Sequence, residues 1–527
     1  MLATLRRRLG AETDTCAVGT PSMRRYAAAG LLAAVAVVAG AVVGGTSFVS
    51  HLPGAWFFGT PAGPLGSVSS NSKHAPAIAV LLVYGGLGAS AAIWWRLLRA
   101  LRAHPGTPVR QVLGVIAAWS APLVVAPPLF SRDVYSYAGQ GLLVNFHIDP
   151  YAYGPGVLGI TRFNLLAGPL WANTPSPYGP TFLSLDALAA HLSDHQVLAD
   201  LVLLRVVEVL GVALIAAGLP TLARSVGRDP ALVVVLGAGS PLVLETLVGG
   251  AHNDALMLGL LVAGLAVWQR YGPVPGIVLC ALAAGVKIPA ALGIVAIGWN
   301  WGPPDLRWLA RAWRTLAALG IGAATLGVLS AVTGVGWGWV LTFTASDKVS
   351  TGVTPVDAVS HVVTPVVQAL GGAMTLTGVR TDLSVIGVAV AVSVGSWLLW
   401  HSPRIGVLKA LGASLLVVSL LGPVLWAWYV TWGLVVLAPV ATGITRRAVV
   451  WITVAESLIG ASSVIGIVRS LAHDGLIADV MVVVGVGAAV VAAARATLDR
   501  PGVTLPARRA AGRDPVGLPT AGPLSGP

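Results

Sequence analysis

Residues 26–47, YAAAGLLAAVAVVAGAVVGGTS, form an apolar stretch that contains no charged side chain. A helix needs about 20 apolar residues to cross a hydrocarbon core of roughly 30 Å, so this stretch is long enough to span a membrane. Basic residues precede it, but it is too long for the apolar core of a signal peptide, which has about 7–15 residues. We therefore predict a first transmembrane helix here.

Comparable apolar runs recur along all 527 residues of the chain. Hydrophobic residues make up 56% of it, charged residues only 10%, and the mean hydropathy is +0.83. A soluble fold cannot bury so much apolar surface, so the fold class is an all-α polytopic membrane protein. With a split pair at 274–286 and 288–300, we predict about fourteen crossings. The other predicted spans are 76–101, 109–130, 197–222, 230–248, 253–270, 314–333, 381–402, 406–424, 429–444, 448–468 and 475–493.

The positive charges indicate how the chain is oriented in the membrane. The net charge is +12, and most of the 32 Lys and Arg residues lie at the ends of apolar runs, on the side of the N-terminus. By the positive-inside rule this side is cytoplasmic. We predict a cytoplasmic tail over 1–25, a membrane domain over 26–495 and a disordered cytoplasmic tail over 496–527. Segments 131–196 and 334–380 then face outward, and short amphipathic helices are expected in the first.

The sequence SRDVYSYAGQ at residues 131–140 begins where the third predicted span ends. It places Asp133 at the outer membrane boundary, where a carboxylate can act as a general base towards an acceptor hydroxyl. Tyr135 and Tyr137 follow and can line a sugar site. The alternative is an ion pair between Asp133 and Arg132 at a helix end.

The sequence AGVKIPA at residues 284–290 lies between two apolar runs that are each too short to span a membrane alone. We predict that the chain rises, breaks at Pro289 and descends. A lysine at such a break is costly unless an anion or an acid meets it. Lys287 and the free amides of half-helices would suit a lipid phosphate. The alternative is a Lys287 side chain that snorkels to the interface.

A short connection, GAHND at residues 250–254, carries three adjacent polar residues. We expect Asn253 or Asp254 to cap the following helix. His252 and Asp254 are also candidates for binding sugar hydroxyls.

Aromatic residues mark two further stretches. The rigid turn SPYGP at residues 176–180 can hold the ring of Tyr178 against a sugar face. The cluster WAWYVTW at residues 426–432 indicates an interfacial aromatic belt, with substrate contact as the alternative. Glu208 lies within an apolar run and needs a partner, for which Arg205 is the candidate.

Several function classes receive no support from the sequence. It contains no P-loop, no dinucleotide-binding glycine motif and no cluster of His, Cys and carboxylates that would hold a metal. Its two cysteines, Cys16 and Cys280, exclude a disulfide framework. The basic charge flanks apolar runs, so no nucleic-acid partner is indicated. A transporter or lipid flippase is the alternative class, but neither an internal repeat nor a polar cluster in mid-span supports it.

The stretches RDVYSY, SPYGP, HND and KIP, in this order and on one predicted side, resemble the GT-C glycosyltransferases. More specifically, they resemble the actinobacterial polyprenol-phosphomannose-dependent α-1,6-mannosyltransferases that build the mannan backbone of lipomannan and lipoarabinomannan. The resemblance covers roughly residues 75–495. It implies a lipid-linked β-mannosyl phosphate donor, a lipid-anchored mannan acceptor and inversion at the anomeric carbon.

The resemblance also implies roles for individual residues. Asp133 matches the catalytic base, and Lys287 and Arg132 would stabilise the leaving phosphate. Many GT-C enzymes have two adjacent acids where this chain has Arg132 and Asp133, so neither a divalent metal nor another cofactor is expected. An arabinofuranosyl or other hexosyl transferase with a polyprenyl-phosphate donor is the alternative enzyme. The expected substrate-binding residues are Tyr135, Tyr137, Tyr178, His252, Asn253 and Asp254.

Overall fold

The computed structural model describes residues 22–43, 75–159, 161–340, 355–370, 372–422 and 424–459. Within these ranges every regular element is a helix, which confirms the predicted all-α class. The first α-helices are α1 Met23–Val43, α2 Ala75–Ala103, α3 Val109–Val125, α4 Asp133–Asn145, α5 Arg162–Ala172, α6 Pro180–Leu192, α7 Val197–Ser225, α8 Pro230–Leu236 and α9 Asp254–Tyr271. The later ones are α10 Pro273–Ala284, α11 Ala291–Trp299, α12 Trp308–Thr333, α13 Pro355–Ala369, α14 Leu376–Trp400, α15 Ser402–Ile405, α16 Val407–Leu421, α17 Thr431–Leu437 and α18 Gly443–Ile459.

Five of these helices, α1, α2, α7, α12 and α14, are long and apolar enough to cross a membrane. A sixth span is formed if a π-helix at Val243–Gly249 and α9 count as one, although they are bent by 116° at a short break. Other predicted spans correspond to shorter apolar helices such as α3, α10 and α16. The chain is therefore a multi-pass membrane protein. The predicted span 475–493 and the tail 496–527 lie outside the described residues.

The predicted continuous span over 230–248 is wrong. Helix α8 ends at Leu236, and Gly237 leaves the helical region with φ −92° and ψ −85°. Pro241 follows, and a proline inside a helix removes a hydrogen bond and clashes with the preceding turn. Regular helical structure then continues as the π-helix Val243–Gly249.

The predicted break in the split pair is present, but it lies before Pro289. Helix α10 ends at Ala284, and a 3-10 turn at Ile288–Ala290 leads into α11. Pro289 stands in the first positions of that turn, where its fixed φ and missing N–H are favourable. The proline therefore starts the second element, and the irregular backbone spans Gly285 to Lys287.

The segment 131–196 is helical, as expected, and contains α4, a 3-10 turn at Pro155–Leu158, α5 and α6. Helices α4 and α6 pack against each other and against α7. Gly141 permits their close approach, because a Cβ there would overlap the carbonyl oxygen of Asp186. Gly211 and Gly259 bring α7 and α9 together in the same way, as small residues commonly do between membrane helices. The N-terminal ends of α4 and α9 consequently meet beside α7.

Candidate active site

Asp133 is the first residue of α4 and is only 8% exposed. Its backbone N–H donates to Ser131 Oγ at 3.1 Å, and its carboxylate Oδ2 lies 3.8 Å from His252 Nε2. Burial raises the pKa of the Asp133 carboxyl above its ordinary value, and the charges of His252 and Lys287 act in the opposite direction. Asp133 therefore faces His252. Such a raised pKa suits a general base.

The backbone that leads to His252 is unusual. The π-helix Val243–Gly249 precedes it, and π-helical turns occur frequently at functional sites. Ala251 has φ +53°, a conformation that non-glycine residues rarely adopt and that costs on the order of 1–3 kcal/mol. This backbone turns His252 into the bundle, where the residue is only 1% exposed.

Two contacts hold the His252 ring. Its Nδ1 lies 2.7 Å from the carbonyl oxygen of Thr246, and the ring stacks on Trp428 with 3.7 Å between centroids and 22° between planes. A carbonyl oxygen can only accept a hydrogen bond, so the proton of neutral His252 is on Nδ1. Its Nε2, which faces Asp133, then carries a lone pair.

Lys287 is held by Asp254, the first residue of α9. Its Nζ lies 3.1 Å and 3.0 Å from the two carboxylate oxygens, and Trp432 Nε1 donates to Asp254 Oδ1 at 2.6 Å. The ammonium also lies 4.5 Å from the centroid of the Tyr429 ring and 5.8 Å from that of Tyr178, within cation–π range. The Lys287 side chain is 13% exposed and that of Asp254 is fully buried. The snorkelling alternative is therefore wrong, and an acid of this chain meets the lysine.

The turn SPYGP docks onto the break between α10 and α11. The carbonyl oxygen of Gly285 accepts hydrogen bonds from the backbone N–H groups of Thr181 at 3.1 Å and Phe182 at 3.3 Å. Gly179 makes this approach possible, because a Cβ there would lie 2.6 Å from the same oxygen. The contact places Tyr178 beside Lys287.

A short polar network orients the same turn against α4. Ser176 Oγ donates to Gln140 Oε1 at 2.8 Å and accepts from the backbone N–H of Tyr178 at 3.2 Å. The rings of Tyr178 and Tyr137 meet edge to face, with 5.3 Å between centroids. Tyr137 is thus brought into the site.

Tyr135 and Arg132 are also predicted site residues, but they lie outside the cluster around Asp133 and Lys287. Tyr135 is fully buried on α4, where the charges of Arg205 and Arg132 act on its hydroxyl. Arg132 is half-buried against Gly168, where an added Cβ would lie 2.9 Å from its Nη1. These two residues therefore form a flank of the site rather than its centre.

Side-chain capping of α9 by Asn253 or Asp254 is a wrong prediction. Asn253 occupies the N-cap position but makes no capping hydrogen bond, because its φ of −62° and ψ of −11° are helical rather than extended. Its side chain is fully buried, and among the described residues neither Nδ2 nor Oδ1 has a hydrogen-bond partner. A buried unsatisfied amide is costly, so a bound water or ligand would stabilise this group.

Sequence reasoning missed the central role of the aromatic cluster. Trp428 and Trp432 are 5% and 4% exposed, and they contact His252 and Asp254, respectively. The prediction of an interfacial aromatic belt is therefore wrong for these two side chains. The only sequence signal was the density of aromatic residues, for which substrate contact stood as the alternative.

The charges of Glu208 and Arg205 act on each other, as predicted, but each side chain makes its hydrogen bonds elsewhere. Glu208 Oε2 accepts from the backbone N–H of Leu256 at 3.4 Å and so supports the first turn of α9. Arg205 donates instead to the carbonyl oxygens of Leu123, Val124 and Gly249. Both charged groups thereby stabilise helix ends around the site.

Acid–base chemistry is what this arrangement can perform. A buried carboxylate faces an imidazole of fixed orientation, and a buried ammonium lies next to them. In the part of the chain that the structure describes, no group of three His, Cys, Asp or Glu residues is arranged to hold a metal ion.

Comparison with known proteins places these residues in a family context. Residues 27–303 match the sequence model of the alpha-(1->6)-mannopyranosyltransferase N-terminal domain. The chain is 32% identical to alpha-(1->6)-mannopyranosyltransferase A of Mycobacterium tuberculosis over 71% of this chain and 73% of that protein. It is 27% identical to alpha-(1->6)-mannopyranosyltransferase B of Corynebacterium glutamicum over 81% and 75%, respectively. No solved structure matches the chain.

Proposed function

Because this chain belongs to the alpha-(1->6)-mannopyranosyltransferase family and is a membrane mannosyltransferase, we propose that its donor is polyprenyl-phosphate mannose. The acceptor is a growing α-1,6-mannan on a lipid anchor, the backbone of lipomannan and lipoarabinomannan. The observation that carries this proposal is the convergence of Asp133, His252, Asp254 and Lys287 at one buried site. A buried carboxylate next to a buried ammonium suits an acceptor hydroxyl and a lipid phosphate.

In the proposed reaction the acceptor hydroxyl attacks the anomeric carbon while the bond to the phosphate oxygen breaks. The electron pair of that bond leaves on the phosphate, and Asp133 accepts the hydroxyl proton. A single displacement on a β-linked donor produces the α linkage. One base is sufficient for this inversion.

Lys287 stabilises the charge that develops on the leaving phosphate. Its ammonium has three N–H donors, so the phosphate joins Asp254 as a second anion instead of replacing it. The aromatic rings around the ammonium exclude water and strengthen this interaction. Arg132 contributes from the flank of the site.

The sugar hydroxyls are bound by the polar groups next to the base. The Asn253 amide, which lacks a partner among the described residues, is the first candidate. Tyr137 and Tyr178 offer ring edges and faces for the sugar. His252 and Asp254 complete the proposed substrate site, and Tyr135 lies on its flank. The site faces the outer side of the plasma membrane, with both termini in the cytoplasm.

Asp133→Asn tests this proposal in membranes supplied with radiolabelled polyprenyl-phosphate mannose and a short α-mannoside acceptor. Loss of a general base typically lowers the rate by about 10²–10⁴, so transfer should fall close to background while expression persists. Asp149→Asn is the matched control, because Asp149 is exposed and, among the described residues, its carboxylate accepts a local hydrogen bond from Tyr151 N–H.

Two results would contradict the proposal. An Asp133→Asn enzyme that retains more than about a tenth of wild-type transfer would remove Asp133 as the base. A wild-type enzyme that uses polyprenyl-phosphate arabinofuranose but not the mannosyl donor would favour the alternative sugar.

A further inference from the structure

The position of the proton between Asp133 and His252 is constrained by the hydrogen bond on the other side of the imidazole. Thr246 holds a proton on Nδ1, so Nε2 of a neutral His252 presents a lone pair to the Asp133 carboxylate. Both side chains are buried, and among the described residues His252 Nε2 has no hydrogen-bond partner. Two acceptors that face each other away from water are unfavourable unless a proton lies on one of them.

The separation of the two groups favours direct contact. The 3.8 Å between Asp133 Oδ2 and His252 Nε2 is longer than a hydrogen bond by less than about 1 Å. A small rotation of either side chain can close this gap. A water molecule does not fit between them, because two hydrogen bonds of about 2.8 Å at a tetrahedral angle span roughly 4.5 Å. Any proton that leaves Asp133 in this direction therefore reaches His252 directly.

We propose that the proton which Asp133 accepts from the acceptor hydroxyl is shared with His252, whose Nε2 takes it over; the pair is therefore empty before each transfer and holds one proton after it. This inference rests on the proposed role of Asp133 as the base. The hydroxyl O–H bond breaks as the new C–O bond forms, and its proton moves to Asp133 Oδ2 and then to His252 Nε2. The carboxylate is regenerated, and the imidazolium releases the proton after the product has left.

The surroundings stabilise the imidazolium that this transfer creates. Its Nδ1–H remains bonded to the Thr246 carbonyl, and its face lies on Trp428, which favours a cation. Asp254 and Lys287, the charged groups nearest to the pair, neutralise each other through their own ion pair. The other titratable groups that face Asp133 are the hydroxyls of Tyr137, Tyr178 and Tyr429.

The shared proton determines the pH dependence of the reaction. While the pair holds a proton, the carboxylate is either protonated or bound to the imidazolium, so it is a poor base. Transfer therefore rises as pH increases through the apparent pKa of the pair, a value that belongs to both groups together. That apparent pKa exceeds the pKa of Asp133 alone, since the proton has two sites to occupy. Removal of the imidazole must therefore shift the acidic limb of the pH–rate profile, the part where the rate rises with pH, to lower pH.

His252→Gln and His252→Asn test the proposal in the full-length enzyme. The Asn variant keeps an amide where Nδ1 contacts Thr246, so it should fold, and neither replacement can accept a proton. We expect the acidic limb of log kcat to move to lower pH in both variants, because only one of the two proton sites remains. Because His252 also lines the proposed sugar site, a change in the acceptor KM reports that contact, and the position of the acidic limb is the readout that tests proton sharing.

The plateau value of kcat should fall by less than the roughly 10²–10⁴ expected for loss of the base itself. His191→Gln is the control, because it removes an exposed histidine at the last turn of α6 and should leave the profile unchanged.

An acidic limb that stays in place in both His252 variants would overturn the proposal, even if kcat is lower. A large rise in the acceptor KM with an unchanged limb would limit His252 to sugar binding. These results differ from a failure of the proposed function, which would appear as no mannosyl transfer by the wild-type enzyme or as an active Asp133→Asn variant.

Discussion

Replacement of Gly179 by alanine should separate the SPYGP turn from the break that carries Lys287. Gly179 has φ −85° and ψ −179°, which any residue can adopt, so the substitution acts only through the added Cβ. That atom would lie 2.6 Å from the Gly285 carbonyl oxygen, and 2.9 Å from both its carbonyl carbon and its Cα. A tolerable C···O contact is about 3.3 Å, so the two backbones must move apart by roughly 0.7 Å.

This displacement has two measurable consequences. The hydrogen bond from Thr181 N–H to Gly285, now 3.1 Å, would lengthen beyond hydrogen-bonding distance, and overpacking of this kind costs about 1–3 kcal/mol. Tyr178 would also shift away from Lys287. Because misplacement by about 1 Å can lower a rate by about 10²-fold, we expect kcat/KM to fall by about 10- to 100-fold.

The assay compares transfer kinetics and the melting temperature of the detergent-solubilised variant with those of Gly114→Ala. Gly114 lies in α3, where an added Cβ would meet nothing within 4 Å, so that variant should behave as wild type or be slightly more stable. A Gly179→Ala enzyme with wild-type kcat/KM and melting temperature would refute the role of this backbone contact in building the site.

Two further predictions concern the donor phosphate and the orientation of the chain. Lys287→Met should raise the KM for polyprenyl-phosphate mannose by about tenfold or more while the acceptor KM changes little, because charged hydrogen bonds contribute about 1.5–3 kcal/mol. Lys409→Met, which removes an exposed lysine, should be silent, and equal increases in both KM values would argue against phosphate binding by Lys287. A reporter fused after Asn173 should read as external and one after Arg228 as cytoplasmic; reversed readings would place the site in the wrong compartment.

The sequence by itself determined the class of the protein, because the decisive property is local. Twenty consecutive apolar residues favour a membrane-spanning helix whatever surrounds them, so stretches such as 26–47 and 197–222 indicated their helices directly. The polar stretch after the third apolar run and the break near Lys287 were readable for the same reason. Each depends on neighbours a few residues away.

Local signals failed where a tertiary contact overrode them. Asn253 has the residue type of a helix cap, but the backbone that enters from the π-helix turns its side chain away from the helix end. The tryptophans at 428 and 432 have the composition of an interfacial belt, but Trp428 is buried against His252 and Trp432 against the start of α9.

Only the tertiary structure decided which groups form the site. Asp133 and His252 are far apart in the chain, as are Lys287 and Asp254, and residue types along one sequence carry no distances between such positions. The same holds for Gly179 and Gly285, whose absent side chains matter only because each backbone faces the other. A buried charge must find a partner, but which partner it finds depends on how the helices pack.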